Sequence, residues 1–117
     1  MQNLHIYHNP RCSKSRQTLA LLVDRNLQPD IIEYLKTPPS VEQLKQLMDQ
    51  LGITDPRAMM RKKEAEYIEN NLSDPSLTDN QLLKAMEQMP KLLERPIVVN
   101  GDKARIGRPP ESVLEII

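Results

Sequence analysis

Tryptophan and phenylalanine are absent from this chain and tyrosine occurs three times, so any core must be aliphatic, with six methionines to fill irregular gaps. Cysteine occurs once, as Cys12, which excludes an internal disulfide and fits the reducing environment of the cytoplasm. With three glycines against ten prolines, the loops are stiff and few backbone positions are free. Neither sign of charge is in excess: sixteen Lys and Arg balance sixteen Asp and Glu. Bulk electrostatics therefore select neither nucleic acid nor an anionic membrane as partner, and an anionic ligand must be caught by a local cluster of cations. No apolar run approaches the roughly 18 residues of a membrane span. Met1-Gln2-Asn3-Leu4 lacks the basic start and apolar core of a secretory leader, so the expected location is cytoplasmic. Two histidines and one cysteine make no cluster of metal-ligating type, and no metal is expected.

The 117 residues suit a single domain, 1–117, with one modest core. Leu4-His5-Ile6-Tyr7 reads as a first strand, stopped by His8-Asn9-Pro10. A helix is expected from about Ser13 to Asn26, with Leu19, Leu22 and Val23 on its apolar face. Asp30 to Leu35 reads as a second strand, completing a β-α-β unit with parallel strands and a right-handed crossover. Ser40 with Gln43, and Thr78 with Gln81, are capping-box pairs opening two further helices, the first ended by Gly52. Pro56 can start a short helix, and residues 64–75 are polar, with a turn near Ala65. Ile97-Val98-Val99 and Ala104-Arg105-Ile106 flank Asn100-Gly101, the signature of a type I′ hairpin. A final helix starts at Pro109 or Pro110 and uses Val113, Leu114, Ile116 and Ile117. The expected fold is α/β and thioredoxin-like: a four-stranded mixed sheet with a helical insertion over about 38–94.

His8-Asn9-Pro10-Arg11-Cys12-Ser13-Lys14-Ser15-Arg16 carries the chemistry. Cys12 falls where a strand ends and a helix begins, beside unpaired backbone N–H groups and the positive end of the helix dipole. Both stabilise a thiolate, and Arg11, Lys14 and Arg16 are cationic neighbours in sequence. A free cysteine is more often a small buried hydrophobe, but these polar neighbours do not suit a core position. Ser15 stands where dithiol oxidoreductases carry a second cysteine, so an oxidised Cys12 needs an external thiol to resolve it.

The chain closely resembles the glutaredoxin-linked arsenate reductases. His8-Asn9-Pro10-Arg11-Cys12, Tyr34-Leu35, Pro38-Pro39-Ser40, Arg61-Lys62 with Tyr67, Arg95-Pro96-Ile97-Val98-Val99 and Arg108-Pro109 follow that family's order and spacing. The resemblance implies that Cys12 attacks arsenate and that Arg61, Arg95 and Arg108 hold the oxyanion, with Arg57 a nearby competitor for the first of these. It implies that His8 tunes the cysteine and that the Arg95-Pro96 bond is cis; Arg11 and Ser15 are further tuning candidates from their own places beside Cys12. Glutathione is then the thiol co-substrate and glutaredoxin the protein partner, with no bound cofactor or metal. Arg11 and Pro110 depart from the pattern of some members, which carry small residues there. Two other readings stay open: a redox-responsive regulator docking on a partner such as RNA polymerase, and a glutathione-dependent reductase of another substrate.

Overall fold

The computed structural model describes residues 4–117; Met1 to Asn3, on which part of the leader reading falls, lie outside them. Eight regular elements follow in order: β1 (Leu4–Tyr7), α1 (Ser13–Asp24), β2 (Asp30–Ile32), α2 (Val41–Leu51), α3 (Ala65–Glu69), α4 (Asp79–Gln88), β3 (Ile97–Asn100) and β4 (Lys103–Ile106). Short 3₁₀ helices add Pro56–Met59, Pro90–Leu92 and Pro110–Ile116. The chain divides into two compact units, one of residues 1–37 with 95–117 and one of residues 38–94.

The first unit is built on a four-stranded mixed sheet of order β2-β1-β3-β4. β1 pairs parallel with β2 and antiparallel with β3, and β3 pairs antiparallel with β4. This is the thioredoxin-like arrangement expected from the order of elements. Ile6 lies opposite Val98 in the ladder, so both point to one face, where they pack with Leu4, Leu22 and Val113. Alternation along the strands sends Tyr7, Ile97, Val99 and Ala104 to the other face, all buried.

Local chemistry accounts for most of the element boundaries. In the second unit both capping boxes form: Ser40 accepts from the Gln43 N–H and Thr78 from the Gln81 N–H, with the reciprocal glutamine bonds present. Gly52 ends α2 in the left-handed conformation, at φ 73°. Leu44, Leu47 and Met48 of α2 and Leu82, Leu83 and Met86 of α4 are buried, at the helical spacing read from the sequence.

Four expectations are corrected. Val23 is 55% exposed, because the buried stripe of α1 runs through Ser15, Thr18 and Leu22 rather than through Val23. β2 stops at Ile32; both Lys36 and Thr37 donate backbone N–H bonds to Glu33 O, so the chain turns where the sequence suggested more strand. The hairpin loop is Gly101-Asp102, one residue later than Asn100-Gly101, since Asn100 still pairs with Lys103. Gly101 has φ 64° and Asp102 is not in the positive-φ region, the pattern of a type II′ turn. Asn100 is spent elsewhere, its Nδ2 donating to Ile116 O at 2.6 Å. The last helix is 3₁₀, with Pro110 and Val113 as its buried residues.

Candidate active site

Cys12 is the N-cap of α1. Its φ of −95° and ψ of 124° are extended, so the first helical N–H groups open beside it. The loop before it is braced from within. Asn9 O accepts the Cys12 N–H at 3.0 Å, and Asn9 Oδ1 accepts the Arg11 N–H at 3.0 Å. Arg16 Nη1 donates to Pro10 O at 2.9 Å, which turns that guanidinium back along the loop. Asn9 adds a role beyond the motif's charged groups: an Asn before Pro is a turn signal, and here its side chain closes the turn.

Ser15 does not face the solvent beside Cys12 as a resolving residue would. Its side chain is fully buried, and its Oγ accepts the Asn9 N–H at 3.0 Å and lies 2.7 Å from His8 Nδ1. The hydroxyl accepts from Asn9 and either donates to Nδ1 or accepts from it, as the His8 tautomer sets. His8 is buried, and burial holds its pKa below the ordinary value; Glu33 opposes this and the Arg16 charge assists it. A neutral His8 therefore anchors the helix start through Ser15.

The Cys12 thiol lies below its ordinary pKa despite partial burial. Burial is the largest single influence and pushes it up, but the backbone N–H of Ser15, the charge of Arg95, the backbone N–H of Lys14 and the charge of Arg108 together outweigh it. Arg108 Nη2 lies 3.8 Å from Cys12 Sγ, while its Nε donates to Arg95 O at 2.9 Å. The cations acting on the thiolate are thus Arg95 and Arg108, more than 80 residues away in sequence. Arg11 and Arg16 do not enter, and Lys14 contributes its backbone. Arg95 and Arg108 each precede a proline through a cis bond, at Arg95-Pro96 and Arg108-Pro109; the second was not expected.

Arg61 belongs to the other unit. There its Nη1 pairs with Glu64 Oε2 at 2.9 Å and its backbone N–H donates to Leu92 O at 2.7 Å. Its competitor Arg57 is committed to structure: Nε donates to Leu72 O at 2.9 Å and Nη2 to Asp74 O at 2.6 Å. Among the described residues no group of three or more His, Cys, Asp or Glu could hold a metal, and no helix is long and apolar enough to cross a membrane.

A thiolate at a helix N-terminus with guanidinium groups beside its sulfur is arranged to attack an oxyanion. The ArsC family model matches residues 7–116. The chain belongs to the ArsC family. An arsenate reductase from Haemophilus influenzae is 54% identical over 112 residues, covering 96% of this chain and 97% of the relative. The uncharacterized protein YfgD of Escherichia coli K12 is 53% identical over 116 residues, covering 99% and 98%. The structure of an arsenate reductase from Vibrio cholerae superposes with a TM-score of 0.96 at 59% identity, covering 97% of each chain. At this likeness the family fold extends over nearly the whole chain.

Proposed function

We propose that this protein is a cytoplasmic arsenate reductase drawing its electrons from glutathione and glutaredoxin. The observation that carries the proposal is the contact of Arg108 Nη2 with Cys12 Sγ, at 3.8 Å, in a thiol whose pKa is held down by the Ser15 backbone N–H together with Arg95, the Lys14 N–H and Arg108. Arsenate is a compact tetrahedral oxyanion. Guanidinium groups offer paired donors to two of its oxygens and remain charged, which suits them to hold it. We assign that role to Arg95 and Arg108, and to Arg61 on the family pattern.

The Cys12 thiolate attacks arsenic, and one arsenate oxygen departs as water with a proton taken up from solvent. This leaves a Cys12–S–As(V) adduct. Glutathione forms a second S–As bond and a second water leaves. The glutaredoxin thiolate then attacks the glutathione sulfur, and the electron pair of the broken S–As bond stays on arsenic, reducing it to As(III). Water releases arsenite and regenerates Cys12. The two electrons come from one glutathione and one glutaredoxin thiol, which end as a mixed disulfide. No metal or flavin is required by this chemistry.

The test is arsenite release from arsenate with glutathione, glutaredoxin and glutathione reductase coupled to NADPH oxidation. Arsenate-dependent NADPH consumption that disappears in Cys12→Ser supports the reading. Its absence in the unmodified protein, with glutaredoxin active on a control substrate, rejects it.

A further inference from the structure

We propose that the cleft between the loop entering α1 and the segment leaving β2 seats glutathione, with Arg11 and Lys36 receiving its carboxylates. The proposal rests on the reading of Cys12 as the thiol that glutathione discharges. The cleft measures about 400 Å³, within the usual range for small-ligand sites. One wall is the loop from His8 to Arg11 and the other is Glu33, Leu35 and Lys36. Arg11 adjoins Cys12 in the chain, so this wall ends one residue before the nucleophile.

The charges of this cleft match glutathione rather than arsenate. Arg11 is exposed and, unlike Arg95 and Arg108, is not among the groups that depress the Cys12 pKa. Lys36 makes an i,i+3 pair with Glu33 at 3.5 Å, its side chain 79% exposed. An exposed pair of this kind gains little and is readily exchanged for a ligand. A tripeptide thiol with two carboxylates and one ammonium meets Arg11, Lys36 and Glu33 with every charge complemented. Leu35, 40% exposed, supplies apolar surface for the peptide stem. A bare oxyanion would gain nothing from Leu35 and would be repelled by Glu33.

A test independent of arsenate uses the disulfide of glutathione. The Cys12 thiolate attacks one of its sulfurs, a Cys12–glutathione disulfide forms, and the other glutathione leaves as thiolate. The second-order rate is compared with that for the uncharged bis(2-hydroxyethyl) disulfide at about 0.5 M salt, where long-range steering is screened. The ratio of the two rates should fall roughly tenfold in Lys36→Glu and in Arg11→Glu, and less in Arg11→Gln, as expected for loss of a charge-assisted bond. An unchanged ratio overturns the proposal. So does a loss seen only when glutaredoxin is added, which would give the cleft to a protein partner. Absence of arsenate turnover with the fall in ratio intact would reject the arsenate reading and leave glutathione in the cleft.

Discussion

Cys12 combines two opposed influences, burial that raises its pKa and backbone N–H groups with two arginines that lower it further. The expected result is a thiol whose alkylation midpoint lies below the ordinary cysteine value near pH 8.5. Iodoacetamide rates followed against pH give the midpoint, and one at or above the free-cysteine value would contradict the reading. Arg108 spans two partners, Arg95 O through Nε and Cys12 Sγ through Nη2, from separate nitrogens of one planar group, a geometry that a lysine's single nitrogen does not reproduce. Arg108→Lys should therefore lower arsenate kcat/KM roughly tenfold to a hundredfold and raise the Cys12 midpoint. Arg57 presents the opposite case. Its guanidinium ties Leu72 O and Asp74 O together, so Arg57→Lys should cost about 1–3 kcal/mol in urea unfolding, with arsenate turnover per folded molecule near normal. A large loss of turnover there with full stability would transfer the oxyanion role from Arg61 to Arg57.

Between elements, Gly107, immediately before Arg108, is a tight approach. A Cβ at this position would lie 2.6 Å from Thr18 Oγ1 and 2.8 Å from Pro96 Cγ. Neither neighbour yields easily, since Thr18 is fully buried and its Oγ1 donates to Lys14 O at 2.8 Å. Gly107→Ala should destabilise by about 1–3 kcal/mol and, by moving Arg108, lower arsenate kcat/KM as well. Thermal unfolding read with the arsenate assay checks both, and a variant of normal stability and activity would show that β4 can shift without affecting the site. The helix caps act on stability alone. Ser40→Ala and Thr78→Ala should each cost about 1 kcal/mol, leaving the Cys12 alkylation midpoint in place.

For the molecule as a whole, the shifted groups give one direction of pH dependence between about pH 5 and pH 9; Tyr7, whose pKa burial raises, opposes it only at higher pH. Burial lowers the pKa of both His5 and His8 in the folded state, so the unfolded chain binds more protons as pH falls. Their contribution is fully present above the ordinary histidine range and is lost between about pH 7 and pH 5. Cys12 acts at higher pH with the same sign. Its lowered pKa adds stability that is complete above the ordinary thiol range and disappears as pH falls through the folded value. The urea midpoint should thus rise from about pH 5 to pH 9, with Cys12→Ser flattening the upper part and His8→Asn the lower. A midpoint falling with pH over this window would mean that neither group is shifted as described.

Much of this protein was legible without a structure because the signals are local. Capping boxes, the Gly52 stop and the 3.6-residue spacing of Leu44, Leu47, Leu82 and Met86 act within one or two turns, so sequence alone determined those helices. The same holds for Cys12 at a helix start, since a strand ending in Asn-Pro leaves little other place for it. Tertiary structure decided what depends on contacts distant in the chain. Val23 obeys helical periodicity and is exposed, because the packing of α1 selects the Ser15–Thr18–Leu22 stripe. Asn100-Gly101 has hairpin chemistry, yet pairing of Asn100 with Lys103 moves the turn by one residue. Above all, the cations nearest to Cys12 in sequence are not those that act on its sulfur. Arg95 and Arg108 do so because antiparallel pairing of β1, β3 and β4 sets the start of β3 and the end of β4 beside the end of β1 that leads into α1, while the Arg16 side chain is turned back to Pro10 O.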